Sequence, residues 1–312
     1  MTTKRRKYIR TKKVGKRRYT KTKRKTKSKT KRKTKRKTKR KMNYKMKRNN
    51  NSLNNFKNLK NKEAYLFKKV IEKGSYNELE LILNKFPEFK DIKDKQKKTL
   101  LILAYLIGQT DYVKLLIKIG VDPNIKDSKN YTALMYATEN GNINMVKILA
   151  GSYKNSNKTI MKALEIAMST NKKQIFKILL NSTNLNLDQP DMTWGGKTIL
   201  IKAITDNVDI QYIDMLLSNG VDVNVGNKYG RTEKGKTPLF YVLKSTSMNS
   251  QEKEDLIIKL IKNGADVNKA PDNNSKMTPL SLAKFSESMA KTKNEKDTWS
   301  NIVKLLEKAG AK

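Results

Sequence analysis

Cysteine and histidine are both missing from the 312 residues. Without cysteine no disulfide framework can form, and nothing points to secretion. Zinc sites of the Cys/His type are excluded, as are Ser-His-Asp and Cys-His catalysis. Carboxylate or lysine chemistry stays open in principle, but no metal or other cofactor is expected. Long apolar runs are lacking too: none approaches the ~18–20 residues of a membrane span. The N-terminus has no apolar stretch of the kind that marks a secretory leader.

Acidic residues are absent from residues 1–62, which hold 31 Lys or Arg; the first carboxylate is Glu63. Of the formal charge of +42, this leaves +11 for residues 63–312. Such a balance implies a polyanionic partner, either nucleic acid or an anionic membrane surface. The basic stretch repeats every four residues: TKRK begins at Thr22, Thr30, Thr34 and Thr38, with TKSK at Thr26. It has too few large apolar side chains to offset its ordering entropy, so residues 1–48 are expected to be a disordered tail in isolation. Residues 49–62, rich in asparagine, read as a linker.

The tail's candidate contact residues are Lys23, Arg24, Lys25, Lys31, Arg32, Lys33, Lys35, Arg36, Lys37, Lys39, Arg40 and Lys41. Each cation that neutralises a phosphate releases a counterion, giving strong salt dependence with little base specificity. Such clusters also serve as nuclear-import signals. A solubilising tail with no dedicated partner is the bland alternative.

From Thr99 the chain repeats at a period near 33 residues. Units begin at Thr99, Thr132, Ala163, Thr198, Thr237 and Thr278. Each predicts two short antiparallel helices, the first started by a threonine cap except in the weaker unit from Ala163. Gly108, Gly141, Asn171 and Asn207 are placed to break the first helix. The second carries an apolar i, i+3 pair: Val113/Leu116, Val146/Leu149, Phe176/Leu179, Ile213/Leu216, Ile257/Leu260 and Val303/Leu306. One hairpin cannot bury its apolar face, so neighbours must stack.

These units resemble the ankyrin repeat. GVDPN, GVDVN and GADVN resemble the family's link after the second helix, and TPLF and TPLS its TPLH signature. The expected fold is therefore all-α, an ankyrin-repeat solenoid of about six to seven helix pairs over residues 63–312. Residues 63–98 would form a degenerate N-terminal cap. Departures are lengthened loops at 188–197 and 226–236, and inserts at 245–254 and 286–298. The lysine-, asparagine- and isoleucine-rich style is similar to ankyrin proteins of giant DNA viruses or AT-rich protists. Poxvirus-like members often end in an F-box-like segment, whereas this chain ends inside its last repeat.

GRTEKGKT, Gly230–Thr237, fits the phosphate-loop pattern of nucleotide-binding proteins. A phosphate loop joins a buried strand to a helix, yet VDVN before it is the repeat's own link. The Gly-Lys-Thr falls where the next helix must start. It reads as a turn and helix cap, and the chain is not expected to be an enzyme.

The resemblance implies a protein-binding scaffold that uses its first helices and finger loops. Carried over by position, the candidates are Tyr136, Glu139, Lys202, Asp206 and Tyr241 on first helices, and Trp194, Tyr229 and Arg231 on fingers. Lys126, Lys129 and Lys228 join the fingers. Trp194 has two readings: an exposed contact hot spot, or packing against a neighbouring finger. The expected function is a non-enzymatic scaffold, a monomer that binds an unidentified protein. Its tail would bind nucleic acid or direct the chain to the nucleus of a eukaryotic host; other expected settings are cytoplasm and virion. The alternative is a structural nucleic-acid-packaging or virion component dominated by the tail.

Overall fold

A computed structural model describes residues 3–72, 74–152, 154–181, 185–230, 232–271 and 277–312, with side chains from Thr30 onward. Among these residues all regular structure is helical apart from two isolated β-bridges, Lys93–Thr99 and Asp191–Lys197. The chain divides into two compact units, residues 1–89 and 90–312.

The first unit opens with α1, Thr3–Lys57, followed by α2 (Lys62–Ile71), α3 (Tyr76–Lys85) and a 3-10 turn at Pro87–Phe89. The tail's backbone is helical, and from Thr30 to Arg48 it has nothing to pack against, as expected of a stretch that is disordered in isolation. Residues 1–57 contain no proline and a single glycine, Gly15, and Lys and Arg are good helix formers. Opposing this, six like-charge pairs at i, i+4 between Lys31 and Lys41 each cost about 0.2–0.5 kcal/mol. From Thr30 to Arg48 every side chain is exposed, so this stretch has no core of its own.

The expected linker differs from the structure more sharply. Residues 49–57 finish α1, which packs on α3. Phe56, 1% exposed, meets Phe86 and Phe89 at centroid distances of 5.3 and 5.4 Å and Tyr65 at 6.0 Å. A lone Phe among asparagines carries no periodic signal, so only the aromatic partners from distant sequence reveal that it is core.

The second unit holds six helix pairs: α4 (Leu100–Leu106) with α5 (Thr110–Lys118), α6 (Ala133–Glu139) with α7 (Ile143–Ala150), α8 (Asn157–Ser169) with α9 (Lys173–Leu180), α10 (Ile199–Thr205) with α11 (Ile210–Ser218), α12 (Pro238–Lys244) with α13 (Ser250–Lys262), and α14 (Pro279–Met289) with α15 (Lys293–Lys308). First helices stack in the order α4, α6, α8, α10, α12, α14. All six apolar pairs of the second helices are buried, which places the core between hairpins. The four turn residues after the first helices, Gly108, Gly141, Asn171 and Asn207, all have positive φ, so asparagine replaces glycine where the left-handed turn is kept.

Thr99, Thr132, Thr198 and Thr278 cap their helices as expected, each hydroxyl accepting from an N–H three residues on at 3.1–3.3 Å. Thr237 does not: its hydroxyl is buried without a partner. The unit read as starting at Ala163 begins earlier, because Ser156 caps α8. The inserts at 245–254 and 286–298 are largely absorbed into longer helices: α13 and α15 each start with a full capping box, Asn249/Glu252 and Thr292/Glu295.

The links explain their own spelling. The Asn124 amide donates to the Lys154 carbonyl (2.7 Å), and its oxygen accepts from Ser156 N–H (2.8 Å). Asn224 does the same with Gly264 and Asp266, and Asn268 with Gly310 and Lys312. Asn157 clamps Asn186 in the irregular unit that lacks the usual link. Each link asparagine thus satisfies one donor and one acceptor of the following link.

Candidate protein-interaction surface

The finger loops are built on buried or half-buried Asx residues. Asp127 accepts from the N–H groups of Lys129 (2.9 Å) and Tyr131 (3.1 Å), and its second oxygen accepts from the Tyr136 hydroxyl at 2.7 Å. Burial first, then this carboxylate, pushes the Tyr136 hydroxyl up to about 12. Asn227 plays the same part in the next long finger. It accepts from Tyr229 N–H (3.1 Å) and donates to the Tyr241 hydroxyl (3.0 Å). Both first-helix tyrosines therefore anchor the finger beside them. Tyr241 is buried, which removes it as a ready contact residue; Tyr136 is half-buried.

Charged side chains on the first helices pair with one another. The Tyr131 hydroxyl donates to Glu139 at 3.1 Å, and the Tyr131 and Tyr136 rings lie 5.0 Å apart. Lys162 contacts Glu165 at 2.5 Å; Lys202 bonds to Asp206 and lies 4.0 Å from Glu165. The structure thus unites Tyr136 with Glu139, and Lys202 with Asp206. Tyr131, Lys162 and Glu165 were missed, since no repeat motif singles them out.

Of the two readings of Trp194, the exposed contact is overturned and the buried one holds. Trp194 closes a 3-10 turn, Met192–Trp194, and is 7% exposed, with its indole N–H buried and without a partner. The lengthened loop presents Met192 instead, 69% exposed, beside a cleft of about 160 Å³ shared with Asn157, Met161 and Pro190. In this three-residue turn the indole points inward and the thioether outward, and sequence spacing could not tell which of the two would. Tyr229, 38% exposed, stands on the next finger with the Lys228 ammonium 5.6 Å from its ring centroid. Lys129 is exposed and Lys126 half-buried. Arg231 lies outside the described residues. A further cleft of about 450 Å³ lies between fingers and first helices, lined by Gln96, Lys98, Leu106, Asp127, Lys129 and Tyr136.

The Gly-Lys-Thr loop is closed to phosphate. Gly235 N–H donates to the Asn227 carbonyl (2.7 Å), Lys236 N–H to Glu233 (3.2 Å), and Lys234 N–H to Gly230 (3.3 Å). A phosphate cradle needs such amides free. The Lys236 ammonium, only 8% exposed as a residue, is held 2.8 Å from Glu233. Burial pulls the Glu233 carboxyl upward, but Lys236 and the Tyr241 hydroxyl outweigh it, and the group titrates below its usual range.

The glycine serves close packing. Gly235 has φ +81°, and an added Cβ would sit 1.3 Å from the Pro271 carbonyl oxygen. Gly195→Ala is the matched control, with φ +69° and nothing within 4 Å of its Cβ. Gly195→Ala should cost only the left-handed penalty, about 1–2 kcal/mol. Gly235→Ala should add about 1–3 kcal/mol of overpacking, read as a lower denaturation midpoint. Equal midpoints for the two variants would show that the fingers do not pack this tightly.

Among the described residues no group of three or more acidic side chains could hold a metal, and no helix is long and apolar enough to cross a membrane. The twelve tail candidates divide. Lys23, Arg24 and Lys25 have side chains outside the described residues, whereas Lys31, Arg32, Lys33, Lys35, Arg36, Lys37, Lys39, Arg40 and Lys41 are all exposed on α1.

Stacked helix pairs with projecting, internally braced fingers define a repeat solenoid of the protein-interaction class. The chain contains ankyrin repeats: the family model for ankyrin repeats (3 copies) matches residues 67–162. Two putative ankyrin repeat proteins of fowlpox virus (strain NVSL) are similar to it, each 30% identical, over 165 and 179 residues. These cover 53% and 56% of this chain, which spans 38% and 23% of the relatives' lengths. The fold is also that of the ankyrin repeat domain of Bcl-3, an IkappaB-family member, with a TM-score of 0.54 and 22% identity over 75% of this chain and 97% of that one.

Proposed function

We propose that this chain is a non-enzymatic adaptor: its repeats capture a protein, and its basic arm holds the complex on nucleic acid. The observation that carries it is the contrast between two surfaces. On the repeats, Met192 and Tyr229 stand exposed on braced fingers, and on the neighbouring first helices Lys162, Glu165, Lys202 and Asp206 pair with one another. Such a face can be covered by a partner without stranding single buried charges. On the arm, twelve of the nineteen residues from Thr30 to Arg48 are Lys or Arg, all exposed, with no acid among them. The setting follows from the partners: the nucleus of a eukaryotic host, or otherwise cytoplasm or virion.

The arm is tested by binding random duplex DNA across a salt series with the full chain and with a chain lacking residues 1–48. Cutting at residue 48 spares Phe56, which a cut at 62 would remove. The fingers are tested by Met192→Asp combined with Tyr229→Ala. Both sites are exposed, so stability should stay within about 0.5 kcal/mol. Capture of a protein partner from cell extract should fall at least about tenfold, since truncating a central contact costs upward of 1–2 kcal/mol. Unchanged capture would move the binding surface elsewhere on the repeats. Arm deletion that abolishes all function while finger changes do nothing would favour a packaging role.

A further inference from the structure

We infer that the Thr30–Arg48 segment of α1 binds duplex DNA as a continuous helix lying in the major groove, not as a flexible polycation. This rests on the arm's proposed role in nucleic-acid binding. Its basis is the way the four-residue period maps onto the helix. Thr30, Thr34 and Thr38 recur at i, i+4 and form one narrow stripe. The Thr34 hydroxyl donates to the Thr30 carbonyl and that of Thr38 to Thr34, both at 2.8 Å. The hydroxyls are thus folded back on the backbone, and the stripe presents short side chains. From Thr30 to Lys41 Lys and Arg fill the remaining circumference, on both flanks of the stripe; beyond it the same stripe continues as Met42 and Met46, with Asn43 and Tyr44 beside Lys45, Lys47 and Arg48.

That cross-section suits one binding mode. A helix with its side chains is about 10–12 Å across, and the major groove of B-form DNA is about 12 Å wide. With the threonine stripe toward the floor, the short side chains allow close approach. The long cations on either flank then reach the phosphates of both walls at once. The segment spans about 28 Å; because the groove winds around the duplex axis once per turn of about 34–36 Å, a straight helix is seated only near its point of tangency, and the threonine stripe, about 12 Å from Thr30 to Thr38, is short enough to lie there. Bound phosphates also remove the like-charge repulsion along the helix that Lys31 to Lys41 suffer when free. A membrane surface fits less well. From Thr30 to Lys41 no apolar residue occurs, and from there to Arg48 only Met42, Tyr44 and Met46 are large and apolar, too few for the apolar face of an interfacial helix. A-form RNA, whose major groove is deep and narrow, does not admit a helix.

The test keeps the charge constant and breaks the helix. Full-length chain and its Thr30→Pro/Thr38→Pro variant are titrated with a 24-base-pair random duplex DNA, the matching duplex RNA and a single strand, across a salt series. A Thr30→Ala/Thr34→Ala/Thr38→Ala variant, equal in charge and fully helix-competent, is the control. The threonine sites are exposed, and an unchanged melting curve of the repeats confirms that the rest of the chain is intact.

The expected result is about tenfold or greater weakening of the proline variant on duplex DNA, with a salt slope shallower by roughly three, as cations beyond each break leave the groove. The alanine variant should bind as the native chain does. Duplex DNA should raise the helical circular-dichroism signal of the native chain and not that of the proline variant. Single-strand binding should change less than twofold. Equal duplex binding by native and proline chains, or duplex RNA bound as tightly as DNA, would overturn the inference while leaving the arm a polyanion tether. Failure of the native chain to bind any nucleic acid would overturn the tether itself, and the helix docking with it.

Discussion

Removal of residues 1–48 should leave almost no salt-dependent binding to random DNA. The full chain should lose about 10³–10⁵-fold in affinity between 50 and 200 mM salt, the behaviour of a protein making six to ten phosphate contacts. Lys and Arg at twelve of the nineteen positions from Thr30 to Arg48 can supply that many contacts even if a third of them face away. The rest of the chain cannot replace them. Its residual +11 beyond residue 62 is spread over 250 residues, and lysines such as Lys69, Lys173, Lys236 and Lys259 are committed to carboxylates at 2.5–2.8 Å. Fluorescence anisotropy with labelled duplex at four salt concentrations gives both slopes. Equal slopes for the two chains would place the nucleic-acid surface on the repeats and reduce the arm to an import signal or a solubilising tail.

Phe176→Ala should destabilise the second unit by about 3–5 kcal/mol, as expected for a large buried ring removed from a packed core. Phe176 on α9 is fully buried and meets Tyr212 on α11 edge to face, with centroids 5.0 Å apart and planes at 86°. The Tyr212 hydroxyl in turn bonds to the Ala167 carbonyl (3.3 Å) and to Asn171 Oδ1 (3.2 Å) across the same junction. The pair therefore holds two successive hairpins together. In a solenoid, stability is the sum of hairpin terms and nearest-neighbour interfaces, and weakening one interface can uncouple the array on either side. Chemical denaturation of the variant should show two transitions where the native chain shows one. Hydrogen exchange should assign different stabilities to α4–α7 and α12–α15. A single transition displaced by less than about 1 kcal/mol would mean that the junction relaxes around the cavity.

The repeat architecture was legible because it rests on local, recurring physics. At four of the six unit starts a threonine satisfies a helix N-terminus, in four units a glycine or asparagine turns the chain left-handed, and apolar pairs at i, i+3 face one side. These rules act within a few residues, so the sequence displays them directly, and Thr99, Gly108 and Val113/Leu116 do in the structure what their spacing implies. The capping boxes at Asn249 and Thr292 were equally local and equally legible, but hidden inside what read as inserts.

What tertiary structure alone decided lies where two distant segments meet. Phe56 is core because Phe86 and Phe89 come to it. Gly235 is tight because Pro271 lies against it, which turns a phosphate-loop pattern into a packing glycine. Trp194 is buried and Met192 exposed, though both stand in one loop. The sequence by itself determined the repeat, its period and the charge of the arm, since these follow from residue type and spacing. Which side chains remain free to meet a partner was decided by packing between neighbours, and no single repeat encodes that.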